Sequence, residues 1–268
     1  MLSFYSFYLL VNNGGLTWVT TVKFAATIHH MSNSKRILAF SSSRTGNSGY
    51  LETAQPLIKD FLGDSNINIA FIPFAAVDGD YEGYANKVKQ ALPAYNIITV
   101  THENTVDVIT NAGAIMVGGG NTFKLLHDLY STGALQLVKQ KVNNGTPYIG
   151  WSAGSNITGA TICTTNDMPV INPGSFTALE FFPFQINPHY YNVTIAGFNG
   201  ETRDQRLEEF LLLNPHKNIV ALPEGTALLL SNGKLQLKGN TGGFLLSNNN
   251  KALAKKTIAV NEDISYLL

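Results

Sequence analysis

The sequence is poor in charge. Only 13% of its 268 residues are Asp, Glu, Lys or Arg, about half the ~25% usual in soluble proteins. Acidic and basic residues balance at 18 each, so there is no basic field to attract a phosphate backbone, and nucleic acid is not an expected partner. Cysteine occurs once, at Cys163. No disulfide can close within the chain, which fits a reducing compartment and a cytoplasmic location. The Thr-Thr-Asn that follows Cys163 has no metal-ligand spacing, so this residue reads as a small apolar filler. Long apolar runs are also missing. The aromatic and apolar stretch Met1 to Val11 breaks at Asn12-Asn13-Gly14-Gly15, well short of the ~20 residues that cross a bilayer. No Lys or Arg precedes it, as a secretory signal would require, and a membrane is not an expected partner.

The 268 residues are enough for one large domain or two small ones with a sizeable core. Met31-Ser32-Asn33-Ser34-Lys35 looks like a second start just ahead of a clean strand. Residues 1–31 are therefore expected to be an appendage outside the fold, or an upstream choice of start codon, and 32–268 to form the domain. From Arg36 onward, short apolar runs alternate with amphipathic stretches, the pattern of a βα series with a largely parallel sheet flanked by helices. Strands are expected at Ile37 to Phe40, Ile67 to Pro73, Asn96 to Val100, Ala114 to Val117 and Pro147 to Gly150. Helices are expected at Tyr50 to Leu62, Asp80 to Leu92, Thr122 to Tyr130 and Leu135 to Asn143. Thr161 to Phe184 reads as a long functional connection. Glu201 to Leu213 reads as a helix and Ile219 to Leu222 as a strand. The tail, Ala227 to Leu237 and Phe244 to Ile258, reads as antiparallel hairpin strands turning at Asn232-Gly233 and Asn248-Asn249-Asn250.

The sharpest motif is Gly150-Trp151-Ser152-Ala153-Gly154, which follows an apolar strand and runs into small residues that can open a helix. A serine on a sharp strand-to-helix turn is pushed out of the sheet, and flanking glycines relieve the crowding. Its hydroxyl then projects above the strand ends, with the N–H of Ala153 free to stabilise an oxyanion. The plainer reading is an ordinary glycine-eased turn.

A serine nucleophile needs a base. Of six histidines, His29 and His30 fall in the appendage, His127 lies within a helix and reads as solvated, His102 follows a strand and reads as surface, and His216 sits in a polar turn. His189 stands among aromatics after an expected strand, where apolar surroundings suit a neutral general base; a buried histidine bonded to a carbonyl is the plain alternative. Two carboxylates are placed to orient it. Glu224 sits at the carboxyl end of an expected parallel strand, the edge where open α/β sheets assemble their sites. Asp167 lies in the long connection. The sequence does not apportion their roles, and each has a solvated loop carboxylate as its plain reading. Gly118-Gly119-Gly120-Asn121 also joins a strand to a helix. Phe123 stands where a dinucleotide fingerprint needs its third glycine, so the exposed amides are open to phosphate, to an oxyanion, or to no ligand at all in a tight turn.

Three segments, Ala70 to Ala75, Val117 to Phe123 and Gly150 to Gly154, together resemble peptidase E, the α-aspartyl dipeptidase family of serine peptidases. Thr164 to Pro169, Gln185 to His189, Gly200 to Arg203 and Leu222 to Gly225 look like further family segments in the family's order. The resemblance runs from about Lys35 to the C-terminus. It implies a sheet like that of class I glutamine amidotransferase domains, with serine replacing their cysteine. It implies Ser152 as nucleophile, His189 as base, and Glu224 or Asp167 as the acidic third member. Gly120 and Ala153 would be the oxyanion donors, Arg203 would face the substrate's aspartyl carboxylate, and Asn121 would line the substrate site. The activity implied is hydrolysis of dipeptides bearing an N-terminal aspartate, with no metal and no cofactor. Ser155 departs from the expected alanine. Other readings are a related aspartyl amidase or cyanophycinase-type hydrolase, a lipase-like esterase with Asp167 as third member, and a catalytically silent binding module. The expected partner is a small peptide; monomer and dimer both remain open.

Overall fold

The computed structural model describes residues 6–12, 15–21, 35–63, 67–194, 196–197 and 199–268, in two units, Met1–Ser32 and Asn33–Leu268. In the first, β1 (Ser6–Asn12) and β2 (Gly15–Thr21) pair antiparallel from Ser6↔Thr21 to Asn12↔Gly15.

The second unit is built around short, largely apolar parallel strands, the central ones buried at every residue, as strands covered on both faces must be. Its elements run β3 (Ile37–Phe40), α1 (Gln55–Leu62), β4 (Asn68–Ile72), α2 (Tyr81–Ala91), β5 (Asn96–Thr99), α3 (Thr105–Asn111), β6 (Ala114–Val117), α4 (Thr122–Ser131), α5 (Ala134–Asn143), β7 (Tyr148–Trp151) and α6 (Ala153–Asn156). After an irregular stretch come β8 (Gln185–Asn187), α7 (Arg203–Leu213), β9 (Asn218–Ala221), β10 (Thr226–Ser231), β11 (Lys234–Gly239), β12 (Gly243–Asn249) and β13 (Ala252–Ile258). The main sheet has the order β11-β10-β3-β7-β6-β4-β5. Its five strands β3, β7, β6, β4 and β5 are parallel, and β10 and β11 extend it antiparallel. Side chains alternate across it. Ile37 and Ala39 join the core beneath α3, α4 and α5, while Leu38 and Phe40 join the core beneath α1 and α2.

The tail hairpins divide between two sheets. β10 and β11 join the main sheet, whereas β12 and β13 join β9 and β8 in a second sheet of order β13-β12-β9-β8, packed on α7 through Leu207, Leu211, Ile219 and Leu246. α1 begins five residues later than its periodicity suggests, because Leu51 takes a positive φ of 55° and Pro56 occupies the first turn. α3 was not expected: Thr-Val-Asp-Val-Ile-Thr is rich in poor helix formers, and burial of Thr105 and Ile109 decides for the helix. Among the described residues no helix is long and apolar enough to cross a membrane.

α4 is anchored by a buried carboxylate. Asp128 accepts from Tyr81 Oη at 3.0 Å, from His102 Nε2 at 2.9 Å and from His127 Nδ1 at 2.8 Å, and also binds Lys124 Nζ. His102 and His127, read from the sequence as surface and solvated, are thus both donors to one buried group. Burial alone pushes the Asp128 carboxyl up, but the hydrogen bonds from Lys124, His127 and His102 outweigh it and hold it down to about 2, from an ordinary 3.8. A depressed carboxyl stabilises the fold above the unfolded-state value and loses that contribution as pH falls through about 2. At pH 7 this amounts to about 2 kcal/mol. Asp128→Asn should therefore lower the denaturation midpoint at pH 7, and the gap to wild type should shrink by about half at pH 3; equal gaps at both pH values would show that the carboxylate's charge is not what anchors α4.

Candidate active site

β7 ends at Trp151, and the chain turns sharply into α6 at Ser152, whose φ and ψ are 54° and −114°. This conformation costs a non-glycine residue about 1–3 kcal/mol and is held by its surroundings. The Ser152 N–H donates to Phe40 O at 3.2 Å, and Ser152 O accepts from the amides of Ser155 and Asn156, both at 2.9 Å. The flanking glycines are obligatory. A Cβ at Gly150 would lie 2.4 Å from Gly154 O, and one at Gly154 would lie 2.2 Å from Val117 O. Ser155, the departure from alanine, is fully buried and sets its hydroxyl against Phe40 O at 2.6 Å and Gly150 O at 3.0 Å, tying the start of α6 to the ends of β3 and β7.

His189 and Glu224 arrive from the second sheet. β8 and β9 are parallel neighbours in the register Asn187↔Ala221, so the residues just beyond their carboxyl ends emerge side by side. The imidazole lies between two partners: Nε2 is 2.9 Å from Ser152 Oγ, and Nδ1 is 2.9 Å from Glu224 Oε1. An ionised carboxylate only accepts, so Nδ1 carries the proton and the Nε2 lone pair faces the serine hydroxyl. The Glu224 side chain is 53% exposed, so its pull on the imidazole is screened by water. One residue that the sequence reading passed over holds this arrangement. Ser41, fully buried at the end of β3, accepts from the His189 N–H at 2.9 Å and donates to Leu222 O at 2.7 Å. Its only sequence signal was a run of three serines after a strand.

Asp167 stands elsewhere. Its Oδ2 accepts from Thr122 N at 2.7 Å, Thr122 Oγ1 at 2.5 Å and Thr165 Oγ1 at 3.1 Å, so it caps α4 and does not bond His189. Arg203, the first residue of α7, feels the Asp167 charge. Burial, and then the neighbouring Arg206, pull its guanidinium below the ordinary value. Its Nη1 is buried without a hydrogen-bond partner among the described residues. The neighbouring carboxylates Glu201 and Asp204 pair with Arg206 at 3.9 Å and Lys255 at 3.1 Å. Arg203 lines a cavity of about 220 Å3 together with Tyr191, Thr194, Thr202 and Arg206.

The loop after β6 closes the site. Gly120 has φ 134°, and a Cβ there would lie 2.4 Å from Ala75 O. The Gly120 N–H makes no backbone hydrogen bond among the described residues. Ala153 opens α6, so its N–H also precedes the first intrahelical bond. Asn121 caps α4 by accepting from Lys124 N at 3.0 Å, and its amide donates to Met168 O at 2.9 Å. Cys163, read as an apolar filler, is exposed; its neighbours Ile162 and Thr164 turn inward and are buried. Among the described residues no cluster of three or more His, Cys, Asp or Glu is arranged to hold a metal ion.

The chain is 50% identical over 219 residues to a peptidase E of Nostoc, covering 79% of this chain and 89% of that protein. It is 46% identical over 216 residues to a peptidase E of Haemophilus influenzae, covering 79% and 99%. The fold is similar to the crystal structure of a peptidase from an acI-B1 actinobacterium, with a TM-score of 0.63 at 17% identity over 86% of this chain and 96% of that one. The crystal structure of a putative peptidase E protein from Listeria monocytogenes gives a TM-score of 0.59 at 24% identity over 77% of this chain and 99% of that one. The profile of peptidase family S51 matches residues 37–238, and the chain belongs to that family.

Proposed function

We propose that this chain is a cytoplasmic serine dipeptidase that hydrolyses peptides with an N-terminal aspartate. The observation that carries the reading is the relay Ser152–His189–Glu224, with both hydrogen bonds at 2.9 Å. Ser152 Oγ attacks the scissile carbonyl carbon while His189 Nε2 takes its proton, and Glu224 stabilises the imidazolium that forms. The N–H groups of Gly120 and Ala153 receive the oxyanion. The intermediate collapses as His189 protonates the departing amine, leaving an aspartyl ester on Ser152. Water, deprotonated by His189, then attacks that ester, and His189 delivers the proton to Ser152 Oγ as the ester C–O bond breaks and aspartate leaves. A binding module has no use for a nucleophile paired to an oriented base. The chain order Ser-His-Glu also differs from the Ser-Asp-His order of lipase-like esterases.

Asp167 and Arg203 form the acyl side of this reading. Arg203 grips the aspartyl carboxylate through two parallel hydrogen bonds, Asp167 faces the α-ammonium, and Asn121 lines the same side. The orphaned Nη1 of Arg203 supports this role, because a buried unpaired guanidinium nitrogen is costly until an anion meets it.

Ser152→Ala should lower kcat more than about 10⁴-fold with the fold intact, and His189→Ala nearly as much, since the members act as a unit. Glu224→Gln should lower kcat by about 100-fold with little change in KM, and Asp167→Asn should act mainly on KM. Steady-state kinetics on Asp-Leu checks all four, and the opposite pattern for the two acids would exchange their roles. For specificity, Asp-Leu should be cleaved at least about 100-fold faster than Asn-Leu. Arg203→Met should erase most of that ratio, whereas an equal loss on both substrates would place Arg203 outside the pocket.

We also propose that residues 1–31 lie outside the catalytic fold. Deleting residues 1–30 should leave kcat/KM and Tm close to those of the full chain, and a large fall in either would show that the segment supports the domain.

A further inference from the structure

Behind the nucleophile runs a short hydrogen-bonded chain whose direction is forced by its chemistry. Trp151 Nε1 lies 3.1 Å from Tyr84 Oη, and Tyr84 Oη lies 3.0 Å from Gly119 O. An indole nitrogen can only donate and a carbonyl can only accept, so the Tyr84 hydroxyl accepts from Trp151 and spends its single proton on Gly119. Trp151 is the residue before Ser152. Gly119 is the residue before Gly120. Tyr84, on α2, therefore links the strand that carries the nucleophile to the loop that carries a proposed oxyanion donor.

The peptide between Gly119 and Gly120 is planar and trans, so pinning its carbonyl fixes the opposite direction for its N–H. The Gly120 N–H is thereby turned away from Tyr84. The loop itself lies against the nucleophile, since a Cβ on Gly119 would fall 2.9 Å from Ser152 Cβ. A donated hydrogen bond to the carbonyl also polarises the peptide and strengthens its N–H as a donor. The glycine run is fitted to this arrangement: a Cβ on Gly118 would fall 2.7 Å from the Tyr84 hydroxyl. The Tyr84 ring is fixed edge-on to Phe71 and Tyr50, at centroid distances of 5.1 Å and 6.4 Å. Burial pushes the Tyr84 phenol up, so it stays protonated and remains a donor.

We infer that Tyr84 is a positioning residue for the oxyanion hole, holding the Gly119–Gly120 peptide so that the Gly120 N–H is preset for the tetrahedral intermediate. The inference rests on the serine-hydrolase reading above and adds to it a residue that touches no substrate.

Tyr84→Phe keeps the ring contacts and removes only the hydroxyl. On Asp-Leu, kcat should fall about 10- to 100-fold, less than the ~10²–10³-fold that follows outright loss of an oxyanion donor, while KM stays within about threefold. A boronic-acid analogue of the aspartyl substrate forms a tetrahedral adduct on Ser152 that presents an oxygen to the same donors. Its affinity should fall by the same factor as kcat/KM, with the affinity of free aspartate unchanged. Replacement of Tyr84 by para-aminophenylalanine, which restores an N–H donor, should recover most of kcat. Should Tyr84→Phe fail to fold, Gly118→Ala displaces the hydroxyl from the other side and should give the same kcat loss at constant KM. Wild-type kcat in either folded variant, or equal weakening of boronate and aspartate, overturns the inference. Ser152→Ala separates the two levels: if it remains active, the serine mechanism itself fails. If it is inactive while Tyr84→Phe is fully active, only the role of Tyr84 falls.

Discussion

The Ser41 hydroxyl joins the two sheets of the domain at the point where the reacting groups meet. It donates to Leu222 O at the end of β9 and accepts from the His189 N–H beyond β8. Its own strand, β3, lies beside β7 in the register Phe40↔Trp151, one step from Ser152. A hydroxyl has one proton and two lone pairs, so it can serve both partners at once. Alanine there would strand the His189 amide, a loss of about 1–3 kcal/mol, while Leu222 O would keep the Tyr190 N–H at 2.9 Å. The preceding residue works from the same place: Phe40 O receives both the Ser152 N–H and the Ser155 hydroxyl. The carboxyl end of β3 thus sets Ser152 and His189 relative to each other.

Around it the backbone is made to approach more closely than side chains would allow. Gly150 and Gly154 let α6 settle on β7 and β6, Gly119 lets the neighbouring loop reach Ser152, and Gly120 passes under Ala75 O. Each glycine answers a different neighbour. The left-handed Ser152 conformation at their centre is paid for by this packing, with Trp151 and Ala153 buried on either side of it.

Much of this was legible in the sequence, because the strands are short apolar runs and the motifs lie at their ends. The βα series, the sharp turn at Ser152 and the tail hairpins all follow from local pattern. What stayed hidden depends on partners far apart in the chain. Ser41 lies 181 residues from Leu222 and 148 from His189. The Asp128 anchor draws Tyr81 from 47 residues away and His102 from 26, so its histidines read as solvated. The position of Glu224 over Asp167 follows from the parallel pairing of β8 with β9, which no local pattern reveals. α3 shows the reverse failure, since local propensity spoke against a helix and burial overruled it.

Ser152 belongs to one sheet, while His189 and Glu224 belong to the other. Slippage of the second sheet against β3 would part Ser152 from His189 while leaving every strand pairing intact, at the cost of shifting Ile186 and Val220 within the core they share with Ile37 and Ala39. Such a protein would keep its circular dichroism and lose its turnover. Heat and mild denaturant are therefore expected to silence this enzyme before they unfold it, with activity serving as the sensitive gauge of the seam between the two sheets.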